Sequence, residues 1–405
     1  LDYSATTPLH PKVLEAMIEF AQTSVGNASS IHSFGRSVAS RIDEARATLG
    51  AFLHCNFTDI IFTSGATEAN NIALAGLITK YISRYPHQKP HVITTTIEHS
   101  SVLEVIKSFA DRDLIEVTYI TPHEDGVVDA QSIKQALRDT TLLVSVMYVN
   151  NEIGTIQPIR EIGKIVEKHN NAKERAVEIA KMNGERVELL PLQKTYMHTD
   201  ATQAPLYCNC DVLHLHVDML SLSAHKVYGP TGVGALYVKA GTPLANILHG
   251  GDQELALRPG THNSLGVVGM GEAFKRLTPE WVSEYASRLL PIRDYALSEL
   301  QKIGGVINGS LTSRTPHNIH VTFPGCEGQM LLYQLDAKGY CVSTGSACSS
   351  GASLPSHVVL ALGKDVADAQ ASLRITLGEN TTKEMIEGFI EALKPLVKCD
   401  TIDTL

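Results

Sequence analysis

Apolar and polar positions follow two distinct patterns along the first part of the chain, one typical of strands and one typical of helices. Short runs rich in Ile, Val, Leu and Thr have the length and composition of buried strands, and most are followed by a segment with apolar residues at helical spacing. The predicted strands are 59–63, 91–96, 115–120, 142–149, a run beginning at Tyr196, 217–220 and 231–238, and the predicted helices are 68–78, 101–110, 129–137 and 159–168. This alternation is typical of a parallel sheet with helices on both faces.

The pattern changes after about residue 250. The elements predicted beyond this point are a long helix at 281–302, short strands at 318–323 and 373–377, and a last helix at 382–397. This mixture predicts a smaller α+β domain. Earlier in the chain, the segment 170–194 is rich in Lys, Glu, Arg and Asn, which favours a solvated helix and loop on the surface.

Composition narrows the class of protein. With 405 residues the chain is long enough for two or more domains, and 43% hydrophobic with 19% charged residues is typical of a soluble globular protein. A formal net charge of -9 disfavours nucleic-acid binding, and no apolar run approaches the roughly 20 residues that cross a membrane. No leader peptide is visible, and seven scattered cysteines, an odd count, indicate reduced thiols in a cytoplasmic compartment.

Lys226 stands between two predicted strands, in the segment 221–230, beside small residues, a histidine and a Gly-Pro turn. An ammonium at the end of a buried strand has a large desolvation cost unless it is used. A covalent bond to an aldehyde cofactor removes that charge. A surface lysine in a β-turn is the alternative, and an isolated lysine does not decide between the two.

A second candidate is the turn between a strand and a helix at 63–71. Gly65 and Ala66 permit a ligand to approach the backbone closely, and the first amides of the following helix point outward with the positive end of its dipole. Thr67 adds a hydroxyl donor. The turn therefore suits a phosphate group, although Glu68 also fits an ordinary capping box.

Polar side chains follow three more predicted strands. Asp200 lies 26 residues before Lys226 and could hold the protonated pyridine nitrogen of pyridoxal phosphate, with Gln203 near the ring hydroxyl. Asp200 could equally cap the next helix. His99 could stack on a planar cofactor and move protons, or be structural. The two amides at 150–151 suit polar ligand contacts and also an ordinary turn.

These positions are related to one another. Open α/β sheets bind ligands at the C-terminal ends of their parallel strands, and the sequence predicts that location for His99, Asn151, Asp200, Gln203 and 223–226. In this arrangement the chain resembles the pyridoxal-phosphate enzymes of fold type I, and more narrowly the cysteine desulfurases of the NifS/IscS type. The motifs that carry the resemblance run nearly from end to end: 1–8, 65–68, 98–99, 149–154, 200–203, 225–230, 249–251, 258–261, 343–348 and 373–374.

The resemblance implies a fold and a domain organisation. We expect an α/β protein of the pyridoxal-phosphate-dependent transferase fold type I, with a mainly parallel seven-stranded sheet in a large domain at 11–250. A small α+β domain would be formed by 1–10 and 251–405 and would carry the loop that contains Cys348. A homodimer is also implied, because the residue matching Thr261 reaches the cofactor phosphate of the neighbouring subunit.

The resemblance also implies roles for particular residues. Lys226 would hold pyridoxal 5'-phosphate covalently and, with His99 and Cys348, would act in catalysis. The substrate carboxylate would lie on Arg374, with Asn151 nearby. No resident metal is expected, although Cys348 could transiently contact an iron–sulfur cluster. The residues expected to contact the cofactor are Ala66, Thr67, His99, Asn151, Asp200, Gln203, Ser223, His225, Lys226 and Thr261.

The implied reaction converts L-cysteine into L-alanine. The sulfur would remain as a persulfide on Cys348 and pass to an acceptor or scaffold protein, for iron–sulfur cluster assembly or tRNA thiolation. The small residues of 346–351 suit a thiol that travels between substrate and acceptor. The other cysteines are interpreted as structural or incidental thiols: Cys55, Cys208, Cys210, Cys326, Cys341 and Cys399.

Two alternatives remain open. Selenocysteine lyase shares the fold and the cofactor, and some lyase-like members also have extra residues where this chain has 170–194. The loop 343–348, with Thr344 in place of the first expected Ser, favours the desulfurase. A catalytically silent scaffold for sulfur-transfer partners would lack Lys226 or Cys348, and both are present.

Overall fold

The strands form two sheets. The computed structural model describes residues 1–183, 194–345 and 354–397. The strands in these ranges are β1 (Ile60–Thr63), β2 (His91–Thr95), β3 (Glu116–Ile120), β4 (Thr141–Ser145), β5 (Tyr196–Asp200), β6 (Met219–Ser223), β7 (Gly234–Val238), β8 (Val306–Ile307), β9 (Asn318–Thr322) and β10 (Ser372–Thr376).

The larger sheet has seven strands in the order β1-β7-β6-β5-β4-β2-β3. The neighbours from β6 through to β3 pair in parallel, whereas β7 is antiparallel to both β1 and β6. All strands except β7 therefore run in one direction, and their carboxyl ends lie at one edge. Strands β2, β4 and β6 are buried along their whole length, as the continuous apolar runs of the sequence predict. The predicted mainly parallel, seven-stranded sheet is confirmed.

Helices cover both faces of this sheet and also pack against the smaller sheet. They are α1 (Pro11–Thr23), α2 (Ser33–Leu53), α3 (Ala66–Arg84), α4 (Ser100–Ala110), α5 (Ala130–Ala136), α6 (Ile159–Met182), α7 (Val212–Leu215), α8 (Ser264–Lys275), α9 (Pro279–Lys302), α10 (Gly328–Asp336), α11 (His357–Ala361), α12 (Val366–Gln370) and α13 (Lys383–Leu393). Within the described ranges, none combines the length and the apolar composition that a membrane crossing needs.

Two apolar clusters separate the faces of the sheet. Ile60 and Ile61 are neighbours in β1 but belong to different clusters, because successive side chains of a strand point to opposite faces. The cluster with Ile61 joins the sheet to α3 and α4, and the cluster with Ile60 joins it to α2 and α8. The latter cluster continues into β9, β10 and α13, so the apolar core runs without interruption into the C-terminal part of the chain.

The second sheet has three antiparallel strands in the order β10-β9-β8. The N-terminal segment lies between the two sheets. Asp2 forms a parallel bridge to Thr376 of β10, while the backbone N–H of Thr7 donates to the carbonyl of His225 at 2.9 Å. Residues 1–10 thus bind to both parts of the molecule, and the proposed domain division stays a prediction.

Several element bounds differ from the predicted ones, among them those of β4 and α6. β4 ends at Ser145 rather than at residue 149, although Val146 and Tyr148 still donate hydrogen bonds to carbonyls of β5. A turn follows at 150–154, where the Asn150 side chain accepts two backbone N–H groups, at 2.9 and 3.0 Å. α6 continues to Met182, beyond its predicted end, because buried apolar side chains recur in a segment that is otherwise polar. The segment 170–194 therefore begins as part of a long helix, and residues 184–193 lie outside the described ranges.

Gly154→Ala tests the turn that follows β4. Gly154 has φ +69°, and an added Cβ would lie 2.4 Å from Cβ of Asn318. We expect the free energy of unfolding to fall by about 2–4 kcal/mol, from left-handed backbone strain and overpacking together. The matched control is Gly241→Ala, where φ is +87° and the Cβ would meet nothing within 4 Å. Backbone strain alone predicts a loss of about 1 kcal/mol there. Urea unfolding measures both losses, and equal values would contradict the contact with Asn318.

Candidate functional site

A cavity of about 710 Å³ opens at the edge of the large sheet where the parallel strands end. This volume is typical of sites for small molecules and cofactors. The structure brings together here residues that the sequence predicts to act on a ligand, and each of these roles stays a prediction. The predicted residues that line the cavity are Ala66, Thr67, His99, Asn151, Asp200, Gln203, Ser223, His225, Lys226 and Arg374.

Lys226 follows β6 in a single 3-10 turn and is half-buried. Its Nζ donates hydrogen bonds to the backbone carbonyls of Ser4 and Ala5, the latter at 2.8 Å. Gln203 Nε2 donates to the same Ser4 carbonyl at 3.0 Å. The amine therefore lies against the N-terminal segment at the wall of the cavity, and the alternative of a lysine in a surface turn is wrong.

Two histidines near this wall are neutral at pH 7. Burial, followed by the charge of the neighbouring lysine, lowers the pKa of His225 to about 4. His198, in β5, lies 2.9 Å from the hydroxyl of Ser145 and 3.1 Å from that of Ser221. Burial lowers the pKa of His198 to about 4, against the opposing effect of Asp200. Neither ring adds a positive charge to the site.

Asp200 ends β5 and is only 5% exposed. Its Oδ2 accepts a hydrogen bond from Asn70 Nδ2 at 2.8 Å, and its Oδ1 accepts one from the backbone N–H of Thr202 at 3.0 Å. No helix begins at this turn, since the next one, α7, is capped by Asp211. The interpretation of Asp200 as a helix cap is therefore wrong, and a buried acid lines the cavity.

The N-terminus of α3 adjoins the cavity and has no side-chain cap. Gly65 occupies the N-cap position, while Glu68 accepts hydrogen bonds from the backbone N–H of Ser64 and from the side chain of Arg258. An added Cβ at Gly65 or Gly232 would meet nothing within 4 Å, so open space lies beside both glycines. Helix amides without a capping side chain suit an anionic group such as a phosphate.

His99 is the N-cap of α4 and also lines the cavity. Its Nδ1 accepts a hydrogen bond from the backbone N–H of Ser101 at 3.1 Å and lies 2.8 Å from Ser101 Oγ. Asn70 Nδ2 donates to that hydroxyl at 2.8 Å, in addition to its bond with Asp200. His99 therefore caps α4 with its ring at the cavity, and its part in catalysis stays a prediction.

Arg374, in β10, is 2% exposed and closes another side of the cavity. One of its terminal nitrogens donates to the backbone carbonyl of Asn151 at 3.1 Å, and the other donates to Asp2 Oδ1 at 2.8 Å. Its Nε is buried without a hydrogen-bond partner in the described part of the chain. Asp2 Oδ2 also accepts from the hydroxyl of Ser343 at 2.8 Å. The guanidinium is therefore oriented by protein groups at the wall of the cavity.

Asp2, Asn70 and His357 are among the residues of this site that sequence reasoning missed. Asp2 is separated from Arg374 by 372 positions, and no local pattern links them. Asn70 could have been found, because it is a fully buried amide on the apolar side of α3. His357 lines the cavity from α11, with Nε2 3.0 Å from the carbonyl of Glu98, and no signal in the sequence distinguishes it from other histidines.

Two predicted site residues are not among those that line the cavity. Thr261 is exposed, and its contact with a neighbouring subunit stays a prediction. Cys348 lies outside the described residues, as does Cys399. Among the other thiols, burial raises the pKa of Cys208 to about 12, which suits an unreactive structural cysteine. Cys341, in contrast, is exposed.

Comparison with known proteins identifies relatives of this chain. The sequence profile of the family Aminotransferase class-V matches residues 1–174 and 185–389. Cysteine desulfurase IscS of Dictyoglomus turgidum is 41% identical over 400 residues, which cover 98% of this chain and 94% of that protein. Among solved structures, a NifS-like protein has a TM-score of 0.85 and 32% identity, with 98% of both chains covered. SspA in complex with cysteine has a TM-score of 0.77 and 32% identity, covering 93% of this chain and 97% of SspA.

His198→Gln tests the neutral histidine beneath the site. The pKa of His198 is about 4 in the fold, below its ordinary value near 6.5, so between these values the unfolded chain binds a proton that the fold rejects. Its contribution to stability is full above pH 6.5 and falls as the pH drops towards 4. The free energy of unfolding falls between pH 7 and pH 5, and we expect this fall to be about 1–2 kcal/mol smaller in His198→Gln than in the wild-type protein. His87→Gln, at a histidine exposed to solvent, is the control, and an unchanged pH slope in His198→Gln would contradict the assignment.

Proposed function

The chain belongs to the aminotransferase class-V family, and we propose that it is a pyridoxal-phosphate-dependent cysteine desulfurase. It converts L-cysteine into L-alanine and transfers the sulfur, by way of a persulfide on Cys348, to an acceptor. The observation that carries this proposal is the meeting of Lys226, Asp200 and Arg374 in one cavity, in a chain with a full-length relative named cysteine desulfurase. That name does not favour the selenocysteine lyase alternative.

The cavity fits pyridoxal phosphate. The buried carboxylate of Asp200 suits a protonated ring nitrogen, and Lys226 is the amine that would hold the cofactor covalently. The uncapped N-terminus of α3 and the Thr67 hydroxyl suit the phosphate, for which the space beside Gly65 and Gly232 leaves room. When bound, the cofactor supplies an electron sink that stabilises negative charge at the α-carbon of the substrate.

Lys226 moves the proton at the substrate α-carbon. The carbonyls of Ser4 and Ala5 accept hydrogen bonds from its Nζ and have no proton to give, so they stabilise the ammonium that forms when the amine takes the proton. Carbonyl groups carry no net charge, so they do not prevent the amine from releasing that proton again. The N-terminal segment therefore provides a position for the amine while it carries the proton.

Arg374 binds the substrate carboxylate. Its planar guanidinium is held by Asn151 and Asp2 at the wall of the cavity. Asp2 compensates the buried positive charge when no substrate is present, because an unpaired charge in this position would be costly. The substrate carboxylate then accepts a charge-assisted hydrogen bond from the Arg374 guanidinium, which it shares with Asp2.

Cys348 accepts the sulfur. Its thiolate attacks the sulfur of the substrate, a sulfur–sulfur bond forms, and the bond between the substrate β-carbon and its sulfur breaks. The bonding electron pair stays with the carbon, which takes up a proton and becomes the methyl group of L-alanine. The two sulfurs are left at the persulfide level, and a thiol of the acceptor can then remove the outer one.

We also propose the setting in which this transfer occurs. The enzyme is a cytoplasmic homodimer in which Thr261 of one subunit reaches the cofactor phosphate of the other; its exposed position in the single chain is compatible with this. The acceptor is a sulfur-carrier protein or an iron–sulfur scaffold protein. L-Cysteine is the substrate, a view supported by the likeness to SspA, which was solved in complex with cysteine.

Cys348→Ala tests the persulfide step. With L-cysteine and a reductant, we expect the wild-type enzyme to form alanine and sulfide, and the variant to retain the visible absorption of bound cofactor while losing activity more than 100-fold. Cys341→Ala, which removes an exposed thiol seven positions earlier, is the control and should keep wild-type rates. Turnover of L-selenocysteine alone would identify a lyase, and an active Cys348→Ala would contradict the persulfide.

Arg374→Lys tests recognition of the carboxylate. Lysine cannot make the two-pronged contact of a guanidinium, so we expect KM for L-cysteine to rise about tenfold while the cofactor absorption stays unchanged. The preference for L-cysteine over its methyl ester should fall by a similar factor. Arg288→Lys is a suitable control, since Arg288 donates to the carbonyls of Gly378 and Thr381 and does not line the cavity. An unchanged preference would contradict the role of Arg374.

A further inference from the structure

A chain of hydrogen bonds joins Asp200 to His99 through two residues with no assigned role. Asn70, in α3, is 0% exposed, and its Nδ2 lies 2.8 Å from Asp200 Oδ2 and 2.8 Å from Ser101 Oγ. Ser101 Oγ lies 2.8 Å from Nδ1 of His99, and the backbone N–H of Ser101 donates to that same nitrogen at 3.1 Å. Three elements meet in this chain of hydrogen bonds: β5, α3 and α4 with its N-cap.

The direction of each bond follows from Asp200. A carboxylate only accepts hydrogen bonds, so Asn70 must turn its NH₂ group towards it, and the second N–H of that group then donates to the Ser101 hydroxyl. The reversed amide would set its oxygen against the carboxylate. The Ser101 hydroxyl, having accepted from Asn70, is left with its own proton to give to His99 Nδ1. The buried Oδ1 of Asn70 has no partner in the described ranges, which is the cost of this orientation.

The backbone N–H of Ser101 independently requires that Nδ1 of His99 accept a hydrogen bond. It belongs to the first turn of α4 and cannot reverse its direction, so a proton on Nδ1 of His99 would face a donor and break the cap. The positive end of the helix dipole further disfavours an imidazolium at this position. Both effects keep Nδ1 without a proton.

We propose that Asn70 and Ser101 are positioning residues that hold His99 as a neutral imidazole with its proton on Nε2. The catalytic meaning of this inference depends on the proposed function, whereas the protonation state itself does not. In the reaction, His99 then acts as a hydrogen-bond donor through Nε2, and Lys226 carries the α-proton. The charge of Asp200 and the tautomer of His99 are set together, because the orientation of Asn70 depends on that charge.

Charged groups of both signs surround His99, so no single neighbour decides its state. The titratable groups that line the same cavity are Glu68, Glu152, Asp200, His225, Lys226, His357 and Arg374, and Glu98 precedes His99 in the chain. Lys226 and Arg374 oppose an imidazolium, whereas the carboxylates favour it. The cap and the relay add directional bonds that only the neutral ring can accept.

Nitrogen NMR of the ¹⁵N-histidine-labelled holoenzyme tests the proposal directly, and His99→Gln identifies the resonances of His99 by their loss. We expect Nδ1 without a proton and Nε2 with one at pH 7. In Asn70→Ala and Ser101→Ala the neutral ring loses a donor, so its titration midpoint should rise by half a pH unit or more, about a threefold gain in proton affinity. Ser101→Ala keeps the backbone cap and is the milder change, should Asn70→Ala fold poorly.

Two matched controls come from the same helices. Asn71→Ala removes an amide that bonds a carbonyl within α3, and Ser108→Ala removes a hydroxyl that does the same within α4. Both should leave the titration of His99 at its wild-type value. A proton on Nδ1 in the wild-type enzyme, or relay variants that titrate like the controls, would overturn the proposal.

The pH profile of activity separates this inference from the proposed function. The acid limb of kcat/KM for L-cysteine should move to higher pH in Asn70→Ala and Ser101→Ala and stay in place in the controls. If neither the wild-type enzyme nor any variant turns over L-cysteine, the proposed function is wrong. The NMR titration still tests whether Asn70 and Ser101 control the protonation of His99. If the wild-type enzyme is active and the titration of His99 ignores Asn70 and Ser101, the relay alone fails.

Discussion

An acid buried at the end of a central strand must be supplied with hydrogen-bond donors, and much of the cavity is arranged around that requirement at Asp200. Asn70, on an otherwise apolar side of α3, and the backbone of Thr202 supply them. Because a carboxylate can only accept, it sets the direction of the Asn70 amide and, through Ser101, the proton position on His99. One buried charge thus orients side chains on two helices, α3 and α4.

The N-terminal segment performs a similar task for the two cations of the site. Lys226 and Arg374 come from different sheets, and the first five residues bind both. Lys226 meets neutral carbonyls, which leave it free to exchange its proton, whereas the permanently charged guanidinium of Arg374 meets the carboxylate of Asp2. The kind of acceptor matches the chemistry proposed for each cation: proton transfer for one, and fixed recognition of a carboxylate for the other.

Local pattern was sufficient for much of the fold. The sequence was sufficient to recognise the buried runs that form β2, β4 and β6 and the polar residues that follow them. Buried strands and turns can both be recognised from the types of neighbouring residues. The mainly parallel sheet followed from the alternation of strands with helices. The length of α6 was underestimated, because its outer part is polar. Beyond residue 168 only Asn170, Val177 and Ala180 are buried against the protein.

The sequence by itself determined the strands, the polar residues at their ends and, through motifs spread over the whole chain, the resemblance to cysteine desulfurases. Tertiary structure alone decided the order of the strands, the antiparallel position of β7 and the partners of the charged groups. Asp2 and Arg374 pair across 372 positions, and Asn70 reaches Asp200 across 130. Such contacts depend on which surfaces pack together, and no short stretch of sequence carries that information.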